Sequence, residues 1–383
     1  MFEPKEILVS KAPSRASRKL HIGDTIFSLV RPYLMNIAYI DEVLADCIAS
    51  TGFYVCTPCD MINGRYIYHL MRSPYVVNGL NTFMKGDNSP SIRKNDIENF
   101  LYPIPPIAEQ QRIVEQIESL FSKLDEVKSK VDEVLEKIEL RKGVILYQAF
   151  SGQLTKKWRN KNSIELSSWE QKVFKDVLDV RDGTHDSPQY YEEGYPLITS
   201  KNLKNGIITD KDVKYISEED YKKINLRSKV DIGDVLFAMI GTIGNPVVVI
   251  EEPNYAIKNM ALLKNIGKIN PFFLKYYLES KVVKDKMQKD AKGSTQKFVS
   301  LGYLREFSIK VPSIDEQNEI VRILDSMLKK EYELEVILLN VLEQVKVMKK
   351  TILVKAFRGE LGTNNPDEEN AIELLKQIIK EQK

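Results

Sequence analysis

The feature that most constrains this chain is a long segment written twice. The stretch "IPPIAEQQRIVEQIESLFSKLDEV" opens at Ile104, and "VPSIDEQNEIVRILDSMLKKEYEL" opens at Val311. The two align without a gap as far as Leu154 and Leu361, which marks an internal repeat. Each copy begins with Pro near a Glu-Gln pair, Glu109-Gln110 and Glu316-Gln317. Each ends in Ala-Phe-x-Gly-x-Leu, Ala149 to Leu154 and Ala356 to Leu361. Between these ends Ile113, Ile117, Leu120, Leu124, Val127, Val131, Val134 and Ile138 alternate spacings of four and three, the a/d seam of a coiled coil. The second stripe is Ile320, Leu324, Met327, Leu334, Leu338, Val341 and Val345, broken only at Glu331. Pro105 and Pro106 punctuate the start, and Gly152 and Gly359 the end. Each segment therefore predicts a helix of about 40 residues, about 60 Å long. An apolar stripe left wet forfeits ~1.5–3 kcal/mol per side chain, so both must be covered. Near-identical partners predict that the two helices pack on each other, antiparallel, about a pseudo-two-fold axis. Two separate helices, each lying on its own domain, are the plainer alternative.

The repetition continues upstream. Lys19 to Ile40 resembles Lys229 to Ile250: Ile22-Gly23-Asp24 matches Ile232-Gly233-Asp234, and Phe27 matches Phe237. Further on, Lys85-Gly86 matches Lys292-Gly293 and Phe100 matches Phe307. Alternating apolar residues beside Gly-Asp and Asn-Pro predict strands and turns. The fold class expected is mixed α/β, with two pseudo-two-fold related heads separated by two long antiparallel coiled-coil helices. The domains expected are a first head at 1–102, a helical region at 103–158, a second head at 159–311, a second helical region at 312–361 and a tail at 362–383. The tail reads as a short amphipathic helix, with Ile372, Leu375 and Ile379 on one face. The second head alone carries a stretch from Trp169 to Thr209, so the first head is expected to be shortened at its N-terminus. Internal two-fold symmetry suits a ligand with two similar halves, and duplex DNA is of that kind.

Composition sets few limits beyond this. The chain has 383 residues, enough for several domains, and is 43% hydrophobic and 29% charged, as globular chains are. Its net charge of +2 neither demands nor excludes a nucleic-acid partner. Three cysteines, Cys47, Cys56 and Cys59, make no disulfide framework, and the N-terminal "MFEPKEILVSKAP" has no signal-like apolar core, so the cytoplasm is expected. Cys56-Thr-Pro-Cys59 supplies half of a zinc site, which needs four ligands; Cys47 and His69 would have to complete it, and no metal is assigned. Neither a Gly-x-x-x-x-Gly-Lys-Ser/Thr phosphate loop nor the Asn/Asp-Pro-Pro-Tyr/Phe tetrapeptide of adenine methyltransferases occurs, and no nuclease centre is legible. The chain is expected not to be an enzyme.

Across nearly its whole length the sequence resembles the specificity subunits of type I restriction-modification enzymes. The residues that carry the resemblance in the first head are Arg15 with "GDTIFSLVRPYLMNIAYI" and "STGFYV". In the second head they are "DGTHDSP", "GYPLITSKNL", "GDVLFAMIGTIG", "NMALL" and "KGSTQKFVS", and the Pro-x-Ile-x-Glu-Gln helix starts complete the set. The resemblance implies two target-recognition domains, each reading half of a bipartite site on double-stranded DNA, held at a fixed separation by the helices. It implies partners: two methyltransferase subunits and the motor-nuclease subunits. It also implies that adenine methylation, translocation and cleavage belong to those partners, which use S-adenosylmethionine, ATP and Mg2+, and that this chain binds no cofactor. The sequence departs from the family pattern where the first head lacks a counterpart to "DGTH". A coiled-coil scaffold, or a half-active or inactive copy that binds methyltransferase subunits without bipartite readout, would show the same helices.

Phosphate contact requires cations and backbone N–H groups, and base readout requires side chains that reach groove edges. The most basic stretch contains Lys258, Lys264, Lys268, Lys275, Lys281, Lys284, Lys286, Lys289, Lys292 and Lys297. Within it "KGSTQK" joins hydroxyls, an amide and two cations, making Lys292, Ser294, Thr295, Gln296 and Lys297 candidate DNA contacts, with Gln296 suited to adenine. Thr184 and His185 beside a Gly turn, and Ser200, Lys201 and Asn202 after a short apolar run, are further candidates in the second head. Arg15, Arg31, Tyr33 and Lys85 are those of the first. Each has a structural alternative: a solvated helix face, an ordinary loop, or a turn hydrogen bond.

Overall fold

The computed structural model describes residues 4–367 together with 372, 373, 376 and 380. They divide into two units, Met1–Glu133 with Ile337–Lys383, and Val134–Val336. The expected tail helix lies mostly outside the described residues. The two helices run Ile107–Phe150 and Ile314–Ala356, and each passes from one unit into the other.

In the first unit the strand Thr25–Ser28 is the centre of an antiparallel sheet, flanked by Ile37–Tyr39 and Phe53–Cys56. All four of its residues are buried. Asn63 caps the helix Gly64–Met71, its side chain accepting from the Arg65 and Tyr66 N–H groups, and Ser73 caps Pro74–Asn81. Phe27, Tyr66, Leu70, Val76 and Leu80 form one core with Ile113, Val114 and Ile117 of the first long helix and Leu353 and Ala356 of the second.

The second unit repeats this plan and adds to it. Val235–Ala238 is the matching central strand, in a four-stranded sheet with Gly244–Val248, Ala261–Asn265 and Leu178–Asp182. A second sheet joins Lys214–Ile216, Tyr195–Thr199 and Ala256–Lys258, and Glu170–Val173 pairs with Ser308–Val311. Among the described residues the first head has no strands matching Leu178–Asp182 or Glu170–Val173.

Both heads are fastened to their helix by the same hydrogen bonds. The Gln110 side chain accepts from the Asn63 N–H (2.9 Å) and donates to the Pro105 carbonyl (2.8 Å). The Gln317 side chain accepts from the Asn270 N–H (2.7 Å) and donates to the Pro312 carbonyl (2.9 Å). The Asn63 and Asn270 side-chain amides donate to Gln111 and Asn318 in turn. Two turns further along each helix, His69 faces Glu118 at 3.4 Å and the Tyr276 hydroxyl donates to Asp325. The second unit also holds a buried ion pair that has no counterpart at the matching Glu109 among the described residues. The Glu316 carboxylate accepts from Thr155 (2.6 Å), Arg159 (2.6 Å) and the Trp169 indole (2.9 Å).

The helices run antiparallel in each unit. In the first, Asp125 pairs with Lys349 (2.6 Å) while Ile113 and Ile117 share a core with Leu353 and Ala356. In the second, Arg141 pairs with Glu331 (2.8 Å) and Lys142 with Glu335 (2.5 Å), while Ile145, Leu146 and Ala149 share a core with Ile320, Val321 and Leu324. Ile113, Ile117, Val131, Ile138, Ile320, Leu324 and Val345 are buried, and Leu120, Leu124, Val134, Leu338 and Val341 are half-buried. The continuous dry stripe expected from the sequence needs correction at Val127, Met327 and Leu334, which are 41%, 36% and 37% exposed. A pair of helices has no third element to close its rim, and Ile113, Ile117, Ile320 and Leu324 are buried where the heads add one. Glu331, the break in the stripe, points its charge at Arg141.

Candidate nucleic-acid interface

The Lys-Gly loops of the two heads are built alike. In the second head Lys292 and Phe298 exchange backbone hydrogen bonds (2.9 and 2.8 Å), closing a tight exposed loop over Gly293–Lys297. Gly293 sits at φ 99, where a Cβ would lie 2.3 Å from the Gln296 carbonyl, so only glycine fits. The loop is tied to the end of the central strand, the Gly241 N–H donating to the Lys297 carbonyl (2.8 Å) and Val299 N–H to Met239 (2.9 Å). In the first head Lys85 and Ser91 exchange the same pair (3.0 Å each), the Arg31 N–H donates to the Pro90 carbonyl (2.7 Å) and Ile92 N–H to Leu29 (2.9 Å). The Arg31 guanidinium adds a bond to the Asn88 carbonyl (2.8 Å). The backbone is thus duplicated, but the residues between the anchors are not: Gly-Asp-Asn-Ser-Pro against Gly-Ser-Thr-Gln-Lys.

The "DGTHDSP" loop is latched to the segment Ile257–Met260. Asp182 is buried and accepts from Arg227 through one oxygen, while its other oxygen lies 2.9 Å from His185 Nε2. His185 Nδ1 lies 2.9 Å from the Asn259 side-chain oxygen. Both ring nitrogens therefore face acceptors, and the bond to Asp182 raises the His185 pKa above the usual histidine range, Asn259 contributing in the same direction. Lys258 is buried, its ammonium donating to the Asp186 carbonyl and the Ser187 hydroxyl (2.7 Å each). Gly183 is packed so close to the Ile257 carbonyl that a Cβ would lie 2.4 Å from it.

This geometry sorts the candidates. Lys292, Ser294, Thr295, Gln296 and Lys297 are exposed together on one loop, as are Arg31, Tyr33 and Lys85 around the matching loop of the first head. Lys201 is exposed. Asn202 requires correction: it is buried, its oxygen accepts from the Thr199 N–H and hydroxyl, and its amide donates to the Thr209 and Lys211 carbonyls, leaving nothing for a groove. The Ser200 hydroxyl is spent on the Asn259 carbonyl, and the Thr184 hydroxyl accepts from the Asp186 N–H. Arg15 is exposed, its carbonyl accepting from the Thr51 N–H. The basic stretch narrows too. Lys258 and Lys264 (to Asp231 and Asp234) are spent inside the head, Lys268 is exposed and donates to the Asp176 carbonyl, and Lys281, Lys284, Lys286, Lys289, Lys292 and Lys297 form no ion pair among the described residues. Sequence reasoning missed Arg227 and the buried Asp182 behind His185; nothing local ties Arg227 to a loop so far upstream. Cys56 is half-buried in a strand and Cys59 exposed, and no three metal-binding side chains gather among the described residues.

The family model described as "Type I restriction modification DNA specificity domain" matches residues 6–137 and 167–344, one span over each head. The chain belongs to this family of type I specificity subunits. It is 27% identical to the EcoBI specificity subunit of Escherichia coli, over 83% of this chain and 72% of that one, and 26% identical to the EcoKI specificity subunit of Escherichia coli K12, over 85% and 73%. A chain from a structure of type I R-M complex assembly and conformational transition superposes with a TM-score of 0.77 at 28% identity, covering 94% of this chain and 87% of that one. The HsdS subunit from Thermoanaerobacter tengcongensis superposes with a TM-score of 0.53 at 27% identity, covering 94% and 86%. As a specificity subunit, the chain has its DNA-specificity matches on the two heads that carry the duplicated loops.

Proposed function

We propose that this chain is the DNA-reading component of a type I restriction-modification complex in the cytoplasm. Each head reads one part of a bipartite duplex target. The chain thereby directs adenine methylation or restriction by its partners, two methyltransferase subunits and the motor-nuclease subunits. The chain does no chemistry in this reading. S-adenosylmethionine, ATP and Mg2+ serve the partners, and this chain binds DNA and protein only. The observation that carries the proposal is the pair of Lys-Gly loops, held by the same backbone bonds in both heads but filled with different side chains. A fixed backbone with variable contact residues is what reading two unlike half-sites requires.

Mapping methylated adenines in cells that carry this subunit and its partners tests the proposal. A bipartite motif with two unlike halves supports it. A palindrome or a single half-motif favours a second reading, in which only the second head reads DNA, and the smaller sheet of the first head is the observation behind it. No motif, with methyltransferase subunits still bound, fits a copy or scaffold that occupies partners without readout.

A further inference from the structure

Between the strands Thr25–Ser28 and Ile37–Tyr39 the first head makes a tight loop whose tip is Tyr33-Leu34-Met35. These side chains are 46%, 54% and 39% exposed. A single exposed leucine needs no explanation, but three large apolar residues in succession on one loop tip do. The tip is also rigid. Arg31 and Met35, both left-handed (φ 49 and 54), bracket a short turn at Pro32–Leu34. Within it Leu34 N–H donates to the Arg31 carbonyl and Met35 N–H to the Pro32 carbonyl, 2.9 Å each, over a buried Pro32. Arg31 is tied in turn to the Lys-Gly loop at Asn88 and Pro90. The matching loop of the second head puts Gly241 and Asn245 at the two left-handed positions (φ 77 and 49), with Thr242, Ile243 and Gly244 between them and Ile243 buried. Glycine and asparagine suit that backbone; arginine and methionine do not. Strain and apolar exposure thus coincide at one place, which is where a function is to be sought.

We propose that Tyr33-Leu34-Met35 is a wedge that enters the minor groove of duplex DNA and partly unstacks one base step. The first head then reads its half of the target through the deformability of that step as well as through base edges. This rests on the proposed reading of DNA by the heads. Duplex DNA fits the tip better than a protein partner does, because cations lie beside its base: Arg31, and Lys85 across the Ser91 bridge to Val30. An apolar tip with cations beside its base matches an opened base step next to phosphates. The second head, with Gly-Thr-Ile-Gly in this place, carries no such tip.

The test uses the full chain assembled with its methyltransferase subunits and a duplex carrying the mapped target. 2-Aminopurine is placed at successive steps of the first half-site, and donor and acceptor dyes at the ends report bending. The wild-type complex is expected to brighten 2-aminopurine at one step, to shorten the end-to-end distance, and to prefer a flexible pyrimidine–purine step there over a stiff A-tract by roughly tenfold. The double variant Leu34→Ser, Met35→Asn is expected to lose all three. Asn is the residue that Asn245 already places at the matching position, so assembly and unfolding midpoint should hold. A wild-type duplex that stays stacked, or a variant that still brightens the same step, overturns the wedge while leaving DNA reading intact. A wild-type complex with no sequence-dependent binding overturns both. A variant that stays folded but no longer binds methyltransferase subunits makes the tip a protein contact and overturns the wedge.

Discussion

Replacing Glu316 by Gln should unfasten the second unit. Glu316 is fully buried and both its oxygens are engaged, one by Thr155 and Arg159 and the other by Trp169. The amide removes the charge and leaves the Arg159 guanidinium, itself buried, with only neutral partners at Thr155 and the Gly152 carbonyl. Removing one partner of a buried pair costs about 3–5 kcal/mol. At a urea m-value of about 2 kcal/mol/M, that lowers the midpoint by roughly 2 M. Both tryptophans, Trp158 and Trp169, lie in this unit, so indole fluorescence during urea unfolding follows it selectively. The matching residue of the first copy, Glu109, is half-buried and forms no ion pair among the described residues, so Glu109→Gln should stay within about 0.5 kcal/mol. Exchanging both partners, Glu316→Met with Arg159→Met, should recover most of the loss. A midpoint shift under roughly 0.5 M for Glu316→Gln, or equal shifts for Glu109→Gln and Glu316→Gln, would refute the assignment of that stability to the buried charge.

Other expectations follow from the same contacts. Burial pushes His69 down from 6.5 to about 4 although Glu118 pulls it upward, so it is neutral in the folded chain. The unfolded chain takes up that proton first. Stability should therefore be complete above about pH 6.5 and fall by about 3 kcal/mol on approach to pH 4. His69→Tyr, which copies Tyr276, should flatten the fall, as unfolding curves between pH 4.5 and 7.5 would record. His185 has the opposite sign: its raised pKa adds stability that is present below pH ~6.5 and is lost as pH rises through the raised value. Asp182→Asn should bring the His185 titration, followed by NMR, back toward the ordinary range; an unmoved titration would remove Asp182 as the cause. In the assembled complex Gln296→Ala should alter which bases are methylated with assembly intact, and unchanged sites would strike it from the readout. Lys292→Ala should instead weaken binding to all sequences alike and reduce the salt slope by about 1, which salt titrations of DNA affinity would show.

Much of this architecture is legible in the amino-acid sequence because it is written in period and repetition. The helices follow from the spacing of Ile113 to Ile138 and of Ile320 to Val345, and the head plan from Ile22-Gly23-Asp24 recurring at Ile232-Gly233-Asp234. The fine structure of the site is not legible in that way. A lysine in sequence carries no sign of whether an acid or carbonyl will fold beside it, so Lys258 and Lys264 read as surface cations and prove to be internal struts. Asn202 after an apolar run looks poised to project, yet the strand it follows turns so that four bonds close on its amide. The exposed rim at Val127, Met327 and Leu334 is hidden for a related reason. Periodicity says which residues share a face but not how deep a two-helix seam is.

What is duplicated and what is not divides along physical lines. The hydrogen bonds at the start of each long helix recur with like donors and acceptors: the Asn63 and Asn270 caps, and the Gln110 and Gln317 amides. The backbone bonds that fix each Lys-Gly loop to its sheet recur as well, and the Arg31 guanidinium adds one to the backbone of the first loop. A loop held only by its backbone places no demand on its side chains except at Gly86 and Gly293, which need positive φ. Asp-Asn-Ser-Pro and Ser-Thr-Gln-Lys can therefore occupy the same loop without disturbing the sheet beneath. That separation lets contact residues change while the head keeps its seat on the helix. It also explains why the duplicated fold is easy to read from sequence, while a DNA target, which in the proposed reading is held in the residues the fold leaves free, is not.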